Sequence, residues 1–207
     1  MTVLETNDLL AAVLADLEQV MGGIAGGQLH DPTPCTEFDV EQLRVHVLGW
    51  LTVFAAGFAD PGGRGASGID GYQVPADPAA AVRAAADQLS SAIRSGAAER
   101  PLYLGESSMP GELALGMILW EYQVHGWDLA RATGQRWSPP EAAAVESLAF
   151  APAMLTEDYQ GMGKPFAPRV AVADGASPLD KLVGLSGRDP QWAPGAGHPG
   201  AAAGEPR

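Results

Sequence analysis

Residues 120–129 read "WEYQVHGWDL", and the fold turns on how they are placed. Around them Ala114, Met117, Ile118 and Val124 recur along one side of a helical projection, with Leu115, Leu119, Tyr122 and Leu129 on the adjoining side. That spacing predicts a helix from about Pro110 to Thr133, closed by Gly134. A helix apolar over so much of its circumference is buried rather than amphipathic. Yet Glu121, His125 and Asp128 lie one turn apart on the same face as Ala114 and Ile118. A buried carboxylate without a partner is costly, so Glu121 needs a cation, a donor network or a metal. His125 follows four residues later, and both side chains reach one point beside the helix, which is a chelating spacing.

Composition bounds what such a helix belongs to. The chain has 207 residues, 46% of them hydrophobic, enough for one sizeable core. Ala and Leu are plentiful, Val and Ile sparse, and strand-like alternation is hard to find, so the expected class is all-α. A net charge of −13 with only 12 Lys and Arg opposes a phosphate backbone, and no nucleic-acid partner is expected. No long uncharged apolar stretch suggests a membrane span, and "MTVLETNDLL" lacks the basic start of a signal peptide. The single cysteine, Cys35, cannot form an internal disulfide, which fits a cytoplasmic location.

Four further helices are expected. The first runs from about Asn7 to Ile24 on the stripe Leu10, Val13, Leu14, Leu17 and Met21, and glycines end it. The second starts at Asp39 as N-cap, with Gln42 completing a capping box and Leu43, Val47, Trp50, Leu51, Phe54 and Phe58 facing inward. The third opens at Asp77 and Pro78, buries Val82, Ala85, Leu89 and Ile93, and ends at Gly96. The last starts in "SPPE", with Ser138 as cap and Glu141 closing the box, and continues to about Tyr159 with a kink at Pro152. Residues 61–76 and "PLYLGESSMPG" read as loops. Residues 160–192 read as irregular apart from a short amphipathic piece at "PLDKLVGLSG". One domain over 1–192 and a disordered Ala/Gly/Pro-rich tail over 193–207 follow.

A third donor stands on the second helix. His46, in "LRVHVLGW", lies at the edge of the apolar stripe. It is either a core histidine satisfied by a backbone carbonyl or a ligand. Together with Glu121 and His125 it makes the two-histidine, one-glutamate set of a catalytic divalent-metal site with an open position. Asp128 either supports His125 from behind or makes a helix-end hydrogen bond or an ion pair with Arg131. Trp50 and Trp127 either line a pocket or pack in the core. Cys35, in a proline-flanked loop without an evident acid–base partner, reads as a packing residue, and His30 and His198 as solvated.

Three blocks, "TPCTEFDVEQLRVHVLGW", "EYQVHGWDLARATGQ" and "DKLVGLSGRDPQW", resemble the metal-binding family related to the N-terminal domain of mycothiol-dependent maleylpyruvate isomerase, within the DinB/YfiT-like superfamily. The resemblance covers roughly residues 5–192. It implies a DinB-like four-helix bundle, here with an additional helix and an irregular C-terminal segment. It also implies a metal, most often zinc with nickel as an alternative, held by His46, Glu121 and His125. Trp50 and Asp128, from the reading of the residues themselves, are the candidate cofactor-binding residues beside it. Mycothiol would be the thiol cosubstrate, held as thiolate near the metal.

The expected function is therefore a thiol-dependent transferase or isomerase acting on small electrophiles, as a monomer or homodimer, with the loop "PGGRGASGIDGYQV" covering the site. The isomerase proper carries a further C-terminal domain, where this chain continues after "GRDPQW" into an Ala/Gly/Pro-rich tail. A thiol-binding or sensor protein without turnover, or a metal-dependent hydrolase on the same site, are the alternative expectations.

Overall fold

Thr2 starts the first helix. Its hydroxyl accepts from the Glu5 backbone N–H at 3.2 Å, and the Glu5 carboxylate accepts from the Thr2 N–H at 2.8 Å. This capping box places α1 at Val3–Gly23, four residues earlier than the apolar stripe alone suggested. A computed structural model describes residues 1–65, 68–164 and 166–195. The expected tail therefore lies, beyond residue 195, outside the described residues.

The other helix starts follow local chemistry. α2 (Val40–Ala59) opens with the Asp39–Gln42 capping box, and α3 (Pro78–Arg94) with Asp77 accepting from the Ala80 N–H at 2.9 Å. α4 spans Gly111–Thr133 and ends on Gly134 at φ +67°, a conformation that favours glycine. α5 (Glu141–Met154) differs from expectation at both ends. Pro139 precedes another proline and is driven from the helical region, so the cap moves to Pro140 and Ser138 makes no cap. Pro152 has no N–H to continue the ladder, and the helix stops two residues later instead of bending on to Tyr159. α6 (Pro178–Leu185) is the amphipathic piece, capped by Ser177.

A short hairpin was not anticipated. β1 (Leu102–Leu104) pairs antiparallel with β2 (Ser107–Met109) around Gly105 at φ +63°, within a segment read as loop. The fold otherwise is all-α among the described residues. α1 packs on α3 and α4, α2 packs on α3 and α4, and these four form the bundle. α5 lies against α4 and α1, and α6 against α5.

Two apolar clusters explain why α4 is apolar nearly all round. Leu115, Ile118, Leu119 and Tyr122 join the bundle core with Leu17, Leu51, Phe54, Phe58 and Leu89. Trp120 and Val124 face the other way, onto Ala144, Ala151, Leu155 and Leu182. The Tyr122 hydroxyl stays in the core because it donates to the Val47 carbonyl at 3.0 Å. Among the described residues no helix is long and apolar enough to cross a membrane.

Gly126 sits in the middle of this arrangement, with the Trp137 ring closed over its Cα so that a Cβ would collide with the ring. Replacement Gly126→Ala is expected to cost about 1–3 kcal/mol through overpacking. The loss should appear as a lower urea midpoint at unchanged m-value, and an unchanged midpoint would contradict the packing described.

Candidate metal centre

Between the two clusters a cavity of about 800 Å³ opens beside α4. Its walls come from the loop around Cys35, from His46 on α2, and from Trp120, Glu121, Val124 and His125 on α4. The remaining walls come from a segment carrying Met162, Lys164 and Phe166, and from residues after α6 including Arg188 and Trp192. Periodicity put His46, Glu121 and His125 on inward faces, and all three line this one cavity.

Each of the three has an electrostatic character set by its surroundings. The rings of His46 and His125 meet edge to face, centroids 5.1 Å apart, and the Phe38 ring centroid lies 5.0 Å from that of His46. Burial, reinforced by His125 and Arg188, pushes His46 down to about 4, so it is neutral at pH 7 with a lone pair to give. Burial raises the Glu121 carboxyl, against the opposing pull of His125 and Arg188. Among the described residues no hydrogen bond or ion pair reaches that carboxylate. His125 is the oriented member. Its Nδ1 lies 3.2 Å from Asp128 Oδ2, and an ionised carboxylate can only accept, so Nδ1 carries a proton and Nε2 is the nitrogen that the neutral ring leaves for a ligand.

Asp128 is fully buried and does not line this cavity. Burial alone would raise its carboxyl, but Arg188 and His125 outweigh burial and hold it below the usual range. Its partner is Arg188 rather than Arg131. Arg188 donates through Nη2 to Oδ2 at 3.0 Å, and its Nε lies 3.3 Å and 3.4 Å from the two carboxylate oxygens. Arg131 is exposed, donates to the Pro190 carbonyl at 3.0 Å and lies over the Trp127 ring.

Three further expectations are corrected. Trp50 does not line the cavity. It stands one turn beyond His46, the only α2 residue on the wall, and stacks on Phe54 at 5.6 Å. Trp120, Phe166, Trp192 and Phe38 are the aromatic walls instead. Among the described residues, the loop after α2 contributes nothing to the cavity wall either. Ile69 and Tyr72 pack against α2 at Gly49, and the cover comes from the segment around Met162 and Lys164. Cys35, read as packing, is on the cavity wall, with burial pushing its thiol up to about 11.

Sequence reasoning missed Arg188 and the placement of Cys35. The one available signal for Arg188 was its position in the block "DKLVGLSGRDPQW". Among the described residues, Cys35, His125 and Asp128 are the one group of three whose possible donor atoms lie within 4.8 Å of one another. Those of His46, Glu121 and His125 stand farther apart, so a shared ion requires side-chain rotation. The tighter trio is nonetheless the poorer nest, because an ion on the Asp128 carboxylate would meet the Arg188 guanidinium. A neutral imidazole, an unpaired carboxylate and an imidazole held by a carboxylate behind it suit a divalent cation in donor chemistry.

His46 gives a pH test. Its folded-state pKa of about 4 lies below the 6.5 of a free imidazole, so between these values the unfolded chain takes up a proton that the folded chain refuses. Stability is therefore lost as pH falls from 6.5 to 4. In chelator, the stability difference between wild type and His46→Gln should shift against wild type across that window. A difference that stays constant with pH would contradict a neutral, buried His46.

The family described as "Mycothiol maleylpyruvate isomerase N-terminal domain" matches residues 10–130, a span that includes Cys35, His46, Glu121, His125 and Asp128 but not Arg188. Two uncharacterized proteins of Mycobacterium tuberculosis, from strains CDC 1551 and H37Rv, are each 33% identical to this chain over 185 residues, covering 88% of it and 93% of their own length. No solved structure matches with significance. With the match spanning more than half of the chain, this protein belongs to the mycothiol maleylpyruvate isomerase N-terminal domain family.

Proposed function

We propose that this protein binds a divalent metal ion through His46, Glu121 and His125, and takes mycothiol and a small electrophile into the same cavity as a thiol transferase or isomerase. The observation that carries the reading is the half-buried Glu121 carboxylate on the cavity wall, without a hydrogen-bond or ion-pair partner among the described residues, beside two imidazoles that both have a nitrogen to offer. Zinc suits a set of two imidazoles and one carboxylate best, with nickel as the alternative. When bound, such an ion lowers the pKa of a coordinating thiol and holds it as thiolate at neutral pH.

The chain's own residues supply the rest. His46 stays unprotonated because its pocket is buried and its neighbours repel a further positive charge. His125 is kept in one tautomer by Asp128. A cavity of about 800 Å³ is far larger than an ion needs and falls in the range of small-molecule sites, which leaves room for a thiol and its acceptor together. Trp120, Val124 and Phe166 make part of its wall apolar, which limits water at a reacting sulfur. Family membership supports a mycothiol-related role.

Metal analysis of the purified wild type against a His46→Ala/His125→Ala double variant tests the site. About one equivalent of zinc in wild type and a loss of at least tenfold in affinity in the variant are expected. Equal metal content would overturn the reading. Mycothiol consumption with a generic electrophile, dependent on added zinc, tests the reaction. Mycothiol binding without consumption would replace it with a sensor or binding role.

A further inference from the structure

We infer that Arg188 is a positioning residue of the candidate metal centre. It fixes the Asp128 carboxylate, which fixes the His125 ring with Nε2 as the nitrogen left for a ligand. The geometry stands by itself, while the consequence for zinc rests on His125 being a ligand as proposed above.

The geometry is a relay through one oxygen. Asp128 Oδ2 takes both Arg188 Nη2 at 3.0 Å and His125 Nδ1 at 3.2 Å. Among the described residues Asp128 is the only hydrogen-bond partner of the His125 ring. Whatever orients this carboxylate therefore orients the imidazole. The guanidinium fork approaches both carboxylate oxygens, which restrains rotation of the carboxylate in a way that a point charge cannot.

Arg188 is itself anchored. Nη1 donates to the Ser186 carbonyl at 2.7 Å, and the Arg188 backbone N–H donates to Val183 at 2.9 Å. The Ser186 hydroxyl accepts from the Trp120 indole N–H at 2.9 Å, tying the turn back to α4. Gly187 makes the turn at φ +82°, with Ala167 so close that a Cβ would press on its backbone carbonyl at 2.8 Å. The segment from α6 to Arg188 lies wholly outside the family match at 10–130. It is nevertheless the part of the chain that sets the direction of a ligand within that match.

The test uses the full chain with nitrogen-15-labelled histidine and zinc alone as probe. In the metal-free wild type, long-range nitrogen–proton correlation spectra should show His125 as the Nδ1–H tautomer. Arg188→Met should give mixed tautomers or the Nε2–H form, and zinc affinity about 10–100-fold weaker. Arg188→Lys should restore part of both, because it returns the charge without the fork. A folded Arg188→Met protein with the wild-type tautomer and zinc affinity would overturn the inference. Should Arg188→Met fail to fold, Arg188→Lys decides alone, and a tautomer and affinity equal to wild type would overturn it. If wild type binds no zinc, the metal reading fails, while the tautomer comparison in the metal-free proteins still decides the positioning role.

Discussion

A carboxylate sealed from water must find its counter-charge inside the protein. Asp128 is such a carboxylate, and Arg188 is its counter-charge. Bringing both ions out of water costs several kcal/mol each, recovered only where the geometry is good and the remaining donors are satisfied. Here they are satisfied: the guanidinium also reaches the Ser186 carbonyl, and the carboxylate also takes His125. Removing either partner strands the other, so the turn after α6 is held against α4 by a constraint with few alternatives. The cavity wall that this turn forms, and the orientation of His125, depend on it.

The same helix explains why a cavity exists at all. α4 serves two apolar clusters, one inside the four-helix bundle and one against α5 and α6. Between them runs the strip that carries Glu121 and His125, which neither cluster covers. A strip of ionisable groups cannot be packed with hydrocarbon at a tolerable energy, so the protein leaves a polar-edged gap there. His46 from α2 and Cys35 from the preceding loop complete its rim. Thr33 secures that loop by donating to the carbonyls of Cys35 and Phe38 at 2.9 Å and 2.8 Å.

Much of the fold was legible locally. The Asp39–Gln42 box, the Asp77–Pro78 start and the Gly134 stop each arise within a few residues, where side-chain and backbone preferences dominate. The misreadings also have local causes. Thr2 and Glu5 cap α1 before its first buried leucine, so the apolar stripe underestimates the helix. In "SPPE" the second proline governs the first, which a search for Ser-Pro starts overlooks. Trp50 shares the helical face of His46, yet the cavity ends within one turn, and periodicity does not record where a cavity ends.

By itself the sequence determined most of the helices, their inward faces and the placing of Glu121 and His125 on one strip of α4, because each depends on spacings of three or four residues that the helix converts directly into direction. Only the tertiary structure decided which cation neutralises Asp128. Arg131 is three residues away and Arg188 sixty, yet the nearer arginine is held at the surface by the Pro190 carbonyl and the Trp127 ring, and the distant one is delivered by the turn after α6. It likewise decided that Cys35 joins the site, that Trp50 does not, and that the cover comes from the segment near Met162. Contacts between distant segments are set by how helices pack and where turns release the chain, and no repeat in the sequence encodes a separation of that kind.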